Sequence, residues 1–125
     1  MPLYRCFAPG DALNDAQRSA LAKAITEIHC ELTTAPPTFV HVQFHPARDD
    51  QLVPFRLHGG LRAGRSQDIT DQIIKRCTRA LAKIAGVQPS DITMRTSHTP
   101  ASWIYEGGRV LPEPGEEAAW IAAHA

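Results

Sequence analysis

The sequence predicts an α/β fold of two tandem β-α-β units, joined into a four-stranded sheet with both helices on one face. Three observations carry this prediction. Two long stretches repeat apolar residues at helical spacing, and each is flanked by short segments of extended type. The second half echoes the first at an offset of about fifty residues, so that Pro54-Phe55-Arg56 stands where Pro2-Leu3-Tyr4 stands. The length of 125 residues, 43% apolar and 21% charged, suits one compact domain with a modest core. The units run over residues 1–48 and 52–98, and residues 99–125 form a C-terminal turn and short helix.

Each element has a local cause. Residues 3–8 form a short apolar strand that Pro9-Gly10-Asp11 breaks. Asn14 opens a helix with Gln17 in capping-box position, and Leu21, Ile25, Ile28 and Leu32 make its apolar stripe. Pro36-Pro37 forbids continuation. From Phe39 to Phe44 apolar and polar residues alternate, as in a strand. A polar loop follows, and residues 53–58 are extended again. Residues 59–66 then read as a Gly- and Arg-rich connection to Ser66, the expected N-cap of the second helix. That helix carries Ile69, Ile73, Cys77, Leu81 and Ile84 on one face and stops at Gly86. Residues 91–97 form the fourth strand. A Gly107-Gly108 turn and an Ala-rich helix around Trp120 end the chain.

Within each unit, parallel strands bridged by a right-handed helical crossover are the expected geometry. Helices on one face leave the other face of the sheet bare. We expect that face to be buried against further copies of the chain, in a homo-oligomer.

Composition excludes several partners. Thirteen basic and thirteen acidic residues cancel, so no global field calls for nucleic acid or a membrane surface. No apolar run approaches the roughly 18 residues of a membrane span. Cys6, Cys30 and Cys77 are scattered with no CxxC pair, which reads as reduced thiols in a cytoplasmic protein and argues against zinc. Six histidines show no ligand spacing for a metal. Ten of the thirteen cations are Arg, whose fork grips carboxylates bidentately.

The chain opens Met1-Pro2, and removal of Met1 would leave Pro2 with a free secondary amine. An α-amino group titrates near 8, so it can serve as base or acid near neutrality. Arg62 and Arg65 flank a glycine-rich turn before a helix, and read either as solvated cations or as one carboxylate pocket. His29 lies at the edge of the first stripe, as a packed histidine or a substrate contact. Glu106 precedes a Gly-Gly turn, where an exposed acid is ordinary; beside a cationic pocket it could hold a water. Arg95 is either a third carboxylate contact or a salt-bridge partner. Phe39 and Trp103 could wall a pocket or serve as core and interface.

Four pieces in order carry a family resemblance: Met1-Pro2, the helix residues 22–29, the run His58-Gly59-Gly60-Leu61-Arg62-Ala63-Gly64-Arg65-Ser66, and residues 106–115. Together, from Met1 through Trp120, they resemble the tautomerase superfamily, in its cis-3-chloroacrylic acid dehalogenase-like branch. The resemblance implies a homotrimer whose active site surrounds the N-terminal proline and is completed by loops of neighbouring subunits. It implies Pro2 as acid or base, His29, Arg62 and Arg65 as carboxylate binders, and Glu106 as the water-activating carboxylate. One position departs, since Arg95 stands where those dehalogenases carry a strand tyrosine.

The expectation is a cofactor-free enzyme acting on a small unsaturated or 2-oxo carboxylate, most simply by keto–enol tautomerisation. Cations beside Pro2 favour its neutral, basic form; a dominant Glu106 favours the charged form, and with it hydration or hydrolytic dehalogenation. A non-catalytic trimeric binding module is the alternative from another class.

Overall fold

A computed structural model describes residues 1–124. Strand β1 (Leu3–Ala8) is followed by helix α1 (Asp15–Thr33), strand β2 (His41–Pro46), strand β3 (Phe55–Arg62), helix α2 (Gln67–Ala85) and strand β4 (Ile92–Thr99). The hairpin strands β5 (Tyr105–Glu106) and β6 (Arg109–Val110) and the helix α3 (Glu117–His124) complete the chain.

The sheet order is β2-β1-β3-β4, with β1 parallel to β2, β3 parallel to β4, and the two central strands antiparallel. Each β-α-β unit is therefore one half of the sheet, and the repeat seen in the sequence meets itself between β1 and β3. Tyr4, Cys6, Leu57 and Leu61 point from the sheet into the core against Leu21, Ile25, Ile73 and Leu81 of α1 and α2. Both helices thus cover one face, as expected.

The helix ends follow the sequence signals. Asn14 accepts from the Gln17 backbone N–H while the Gln17 side chain accepts from the Asn14 N–H, each at 2.8 Å. Ser66 caps α2 through the Ile69 N–H at 3.3 Å, and Gly86 ends it in the left-handed conformation.

Three boundaries differ from expectation. Phe39 does not begin the second strand. Pro37–Phe39 forms a 3-10 turn, closed by the Phe39 N–H on the Pro36 carbonyl at 3.0 Å, which turns the ring inward to 6% exposure. Residues 59–62 are strand and not connection: Gly59 and Gly60 pair with Tyr4 and Leu3 of β1 and with Thr96 and Ser97 of β4. The reason is steric, since a Cβ on Gly59 would stand 2.9 Å from the Tyr4 ring. Asp91 belongs to a 3-10 turn, so the fourth strand starts at Ile92 and runs on to Thr99.

The C-terminal segment folds back over one end of the sheet. Gly107 and Gly108, at φ of 58° and 79°, make the tight hairpin turn. The Trp120 indole N–H donates to the Val110 carbonyl at 2.7 Å, and the ring meets Phe39 edge-on with centroids 5.8 Å apart. No helix among the described residues is long and apolar enough to cross a membrane.

Candidate active site

The site is built from the inner face of β1 outward. Alternation along β1 buries Tyr4 completely, and the missing side chain at Gly59 leaves room for its ring. The Tyr4 hydroxyl lies 2.8 Å from His29 Nδ1. His29 is fully buried on α1, one residue past Ile28 of the apolar stripe. Burial first, then the charges of Arg65, Arg62 and the chain's amino terminus, lower its pKa to about 3, so the ring is neutral at physiological pH. Burial pushes the Tyr4 phenol far up, so it keeps its proton. A neutral phenol with one available acceptor donates to Nδ1, which places the imidazole proton on Nε2. Nε2 itself has no hydrogen-bond partner among the described residues.

Arg62 ends β3 and is 1% exposed. Its Nη1 donates to the Pro112 carbonyl at 2.7 Å and its Nη2 to Glu117 Oε1 at 2.8 Å, and its guanidinium lies 5.6 Å from the Phe39 ring centroid. Arg65, in the turn before Ser66, holds its Nη2 at 3.6 Å from the same Glu117 oxygen, with a side chain only 7% exposed. Burial and the Arg62 charge lower its pKa, with Glu117 and Tyr4 opposing. Arg62 Nε and Arg65 Nη2 join His29 Nε2 as buried nitrogens without hydrogen-bond partners. Buried donors are ordinarily satisfied, so three such nitrogens in one neighbourhood call for an explanation.

Glu106, on β5, forms an ion pair with the amino group of Met1. Pro2, next in the chain, is fully buried and its carbonyl accepts from the His41 N–H at 3.0 Å. The start of the chain, Glu106, His29 and the two arginines thus share one end of the sheet.

Arg95 is not among them within one chain. It sits on the bare face of the sheet, in register with His58, which is in register with Arg5. These residues, with Phe7 and Arg56, line an open cavity of about 570 Å³ on that face. Phe39 packs against the Arg62 guanidinium, whereas Trp103 is 76% exposed.

Two members escaped the sequence reading. Tyr4 looked like one more apolar strand residue. Glu117 is one of three acids between positions 113 and 117, and what distinguishes it is phase: it lies one turn before Trp120, on the side of α3 that packs inward. There Glu117 is 4% exposed and also accepts from the Gly115 N–H at 2.9 Å. Burial opposes its charge, but hydrogen bonds from the backbone and from Arg62, with the Arg62 charge, hold its carboxyl below the usual range.

Comparison with known proteins agrees with this fold. Over 97% of its length the chain superposes on a crystal structure of a member of the cis-3-chloroacrylic acid dehalogenase family, with a TM-score of 0.89, 24% identity and 91% of that chain covered. A protein designated Ps01740 is 32% identical, covering 84% of this chain and 100% of that one at a TM-score of 0.78. A fused 4-OT solved as an asymmetric trimer gives a TM-score of 0.77 at 15% identity, over 95% of this chain and 98% of that one. No curated protein matches the sequence closely enough to carry a function across. Residues 1–124 match the family described as "Putative oxalocrotonate tautomerase enzyme", and the chain belongs to that family, within the tautomerase superfamily.

Proposed function

We propose that the protein is a cofactor-free enzyme that uses the amine of Pro2, freed by removal of Met1, to move a proton on a small 2-oxo or unsaturated carboxylate. One observation carries the reading: the ion-paired start of the chain lies beside three buried, unpartnered nitrogens, those of His29, Arg62 and Arg65. His29 Nε2–H and Arg65 Nη2 bind the substrate carboxylate, and the Arg62 Nε–H lends positive potential to the charge that develops on the adjacent oxygen. The Pro2 amine takes the hydroxyl proton of a 2-hydroxy-2-alkenoate, and its conjugate acid returns a proton to carbon 3, giving the 2-oxo acid. Bonds and charges balance without a co-reactant.

The position of Glu106 favours a second reading. Glu106 pairs with the Met1 amino group, and the same carboxylate set against the freed Pro2 amine would favour its protonated form, which suits proton delivery to an unsaturated acid while water adds, as in hydration or hydrolytic dehalogenation. The bare sheet face and the trimeric fused 4-OT of the same fold support assembly as a homotrimer. Arg95 would then bear on a neighbouring copy and not on its own site.

The test is a pH–rate profile with phenylenolpyruvate, 2-hydroxymuconate and the 3-haloacrylates, on protein whose intact mass shows Met1 removed. Ketonisation that falls as pH drops supports the base; halide release confined to the acidic side supports the alternative. Pro2→Ala abolishes either activity. Turnover that survives in Pro2→Ala, or none with any of these acids, leaves the binding module as the better account.

A further inference from the structure

Glu117 places a carboxylate where the arginine pair faces inward. Its Oε1 is 2.8 Å from Arg62 Nη2 and 3.6 Å from Arg65 Nη2, and it belongs to the chain itself. The charges of the site can therefore be counted. Arg62 and Arg65 supply two positive charges and Glu117 removes one. The Met1 amino group pairs with Glu106, and once Met1 is removed the Pro2 amine, charged or neutral, gives with Glu106 no net positive charge. His29 is neutral, being buried beside two guanidiniums. At most a single positive charge remains, together with the unpartnered nitrogens of His29, Arg62 and Arg65.

One carboxylate neutralises that charge, and its two oxygens can accept from all three donors. A second carboxylate on the same small molecule would meet no uncommitted cation, and would leave a net negative charge in a buried site. We propose that Glu117 is a specificity-determining residue, which restricts this site to monoanionic carboxylates and excludes dianionic ones. The inference rests on the proposed function in one respect, that the ligand is a small carboxylate. Glu117 has no part in proton transfer. It acts by occupying one half of an arginine pair that could otherwise take two acids.

The experiment separates the two layers. Binding of crotonate and of fumarate, which differ by a methyl group against a second carboxylate, is measured by calorimetry in Pro2→Ala, where no chemistry intervenes. The expected result is crotonate bound roughly tenfold or more tightly than fumarate, with the preference lost or reversed in the Pro2→Ala/Glu117→Gln double variant and retained with Glu117→Asp, which keeps the charge. If Glu117 only pinned the last helix, Glu117→Gln would weaken both acids alike and leave their ratio unmoved, and the inference would fall. Equal binding of the two acids by Pro2→Ala alone overturns it without recourse to a Glu117 variant, should those unfold. Binding of neither acid overturns the carboxylate reading of the whole site.

Discussion

The Tyr4 hydroxyl, 2.8 Å from His29 Nδ1, decides which nitrogen of the imidazole carries the proton. A buried strand residue thereby sets the tautomer of a helix residue whose Nε2 has no partner among the described residues. Charge on His29 is unavailable, since burial and two guanidiniums oppose it, so hydrogen-bond direction is what the ring can offer an anion.

Tyr4→Phe therefore tests positioning apart from bulk. The ring still fills the space over Gly59, but Nδ1 loses its partner and either ring nitrogen can take the proton. Stability should drop by about 1–3 kcal/mol, as for a buried group left unsatisfied, read from urea midpoints. KM for a carboxylate substrate should rise more than kcat falls, a split that simple loosening of the core would not produce.

Gly59→Ala approaches the same contact from the other side. The new Cβ would stand 2.9 Å from the Tyr4 ring, with strand backbone on both sides. Thermal unfolding should show a loss of about 1–3 kcal/mol from overpacking, with a rise in KM like that of Tyr4→Phe. Unchanged melting would mean that the ring has room to shift.

The two arginines should behave differently. Arg62 is committed to Pro112 and Glu117, so Arg62→Ala strands a buried carboxylate and should destabilise by about 3–5 kcal/mol. Arg65 Nη2 makes no hydrogen bond and only a looser ion pair with Glu117 at 3.6 Å, so Arg65→Ala should cost mainly binding, with KM up by roughly tenfold or more and a far smaller change in urea midpoint. Equal stability losses in the two variants would contradict this division.

His29 also fixes a pH dependence. Its pKa falls from 6.5 in the unfolded chain to about 3 in the fold, so the unfolded state binds the extra proton first. Its share of the stability is complete above pH 6.5 and is lost as pH falls toward 3, at about 1.4 kcal/mol per pH unit. The depressed Glu117 carboxyl adds a loss in the same direction at lower pH. His29→Gln should flatten urea midpoints between pH 6.5 and 5 relative to the parent. A parallel decline in both proteins would assign the effect elsewhere.

Much of this was legible because local signals and topology agreed. The Asn14–Gln17 capping box, the Ser66 cap and the Gly86 stop set the helices, and the Pro2/Pro54 echo set the β-α-β repeat. Gly59-Gly60 misled, because paired glycines suggest a turn unless one knows that a tyrosine ring lies across them. Phe39 misled in a similar way: alternation placed it on a strand, whereas a proline-closed turn and the pull of Trp120 and Arg62 draw it inward.

Within the site, Pro2, His29, Arg62, Arg65 and Glu106 could be nominated from position and kind. Their partners could not. Glu117 is separated from Arg62 by more than fifty residues of chain, and only its phase, one turn before Trp120, sets it apart from Glu113 and Glu116. Arg95 shows the reverse limit, for a strand residue's face follows from register, and the register sets it beside His58.

The last helix is only eight residues long and is tethered to the body through Arg62, the Phe39 ring edge and a handful of backbone acceptors. So few fastenings make it the first part of the molecule to fray, well before the sheet yields. Amide exchange should then be fastest there, and each such opening would lift Glu117 off the guanidiniums. The ease of peeling the tail away and the electrostatic appetite of the pocket are in this way one property.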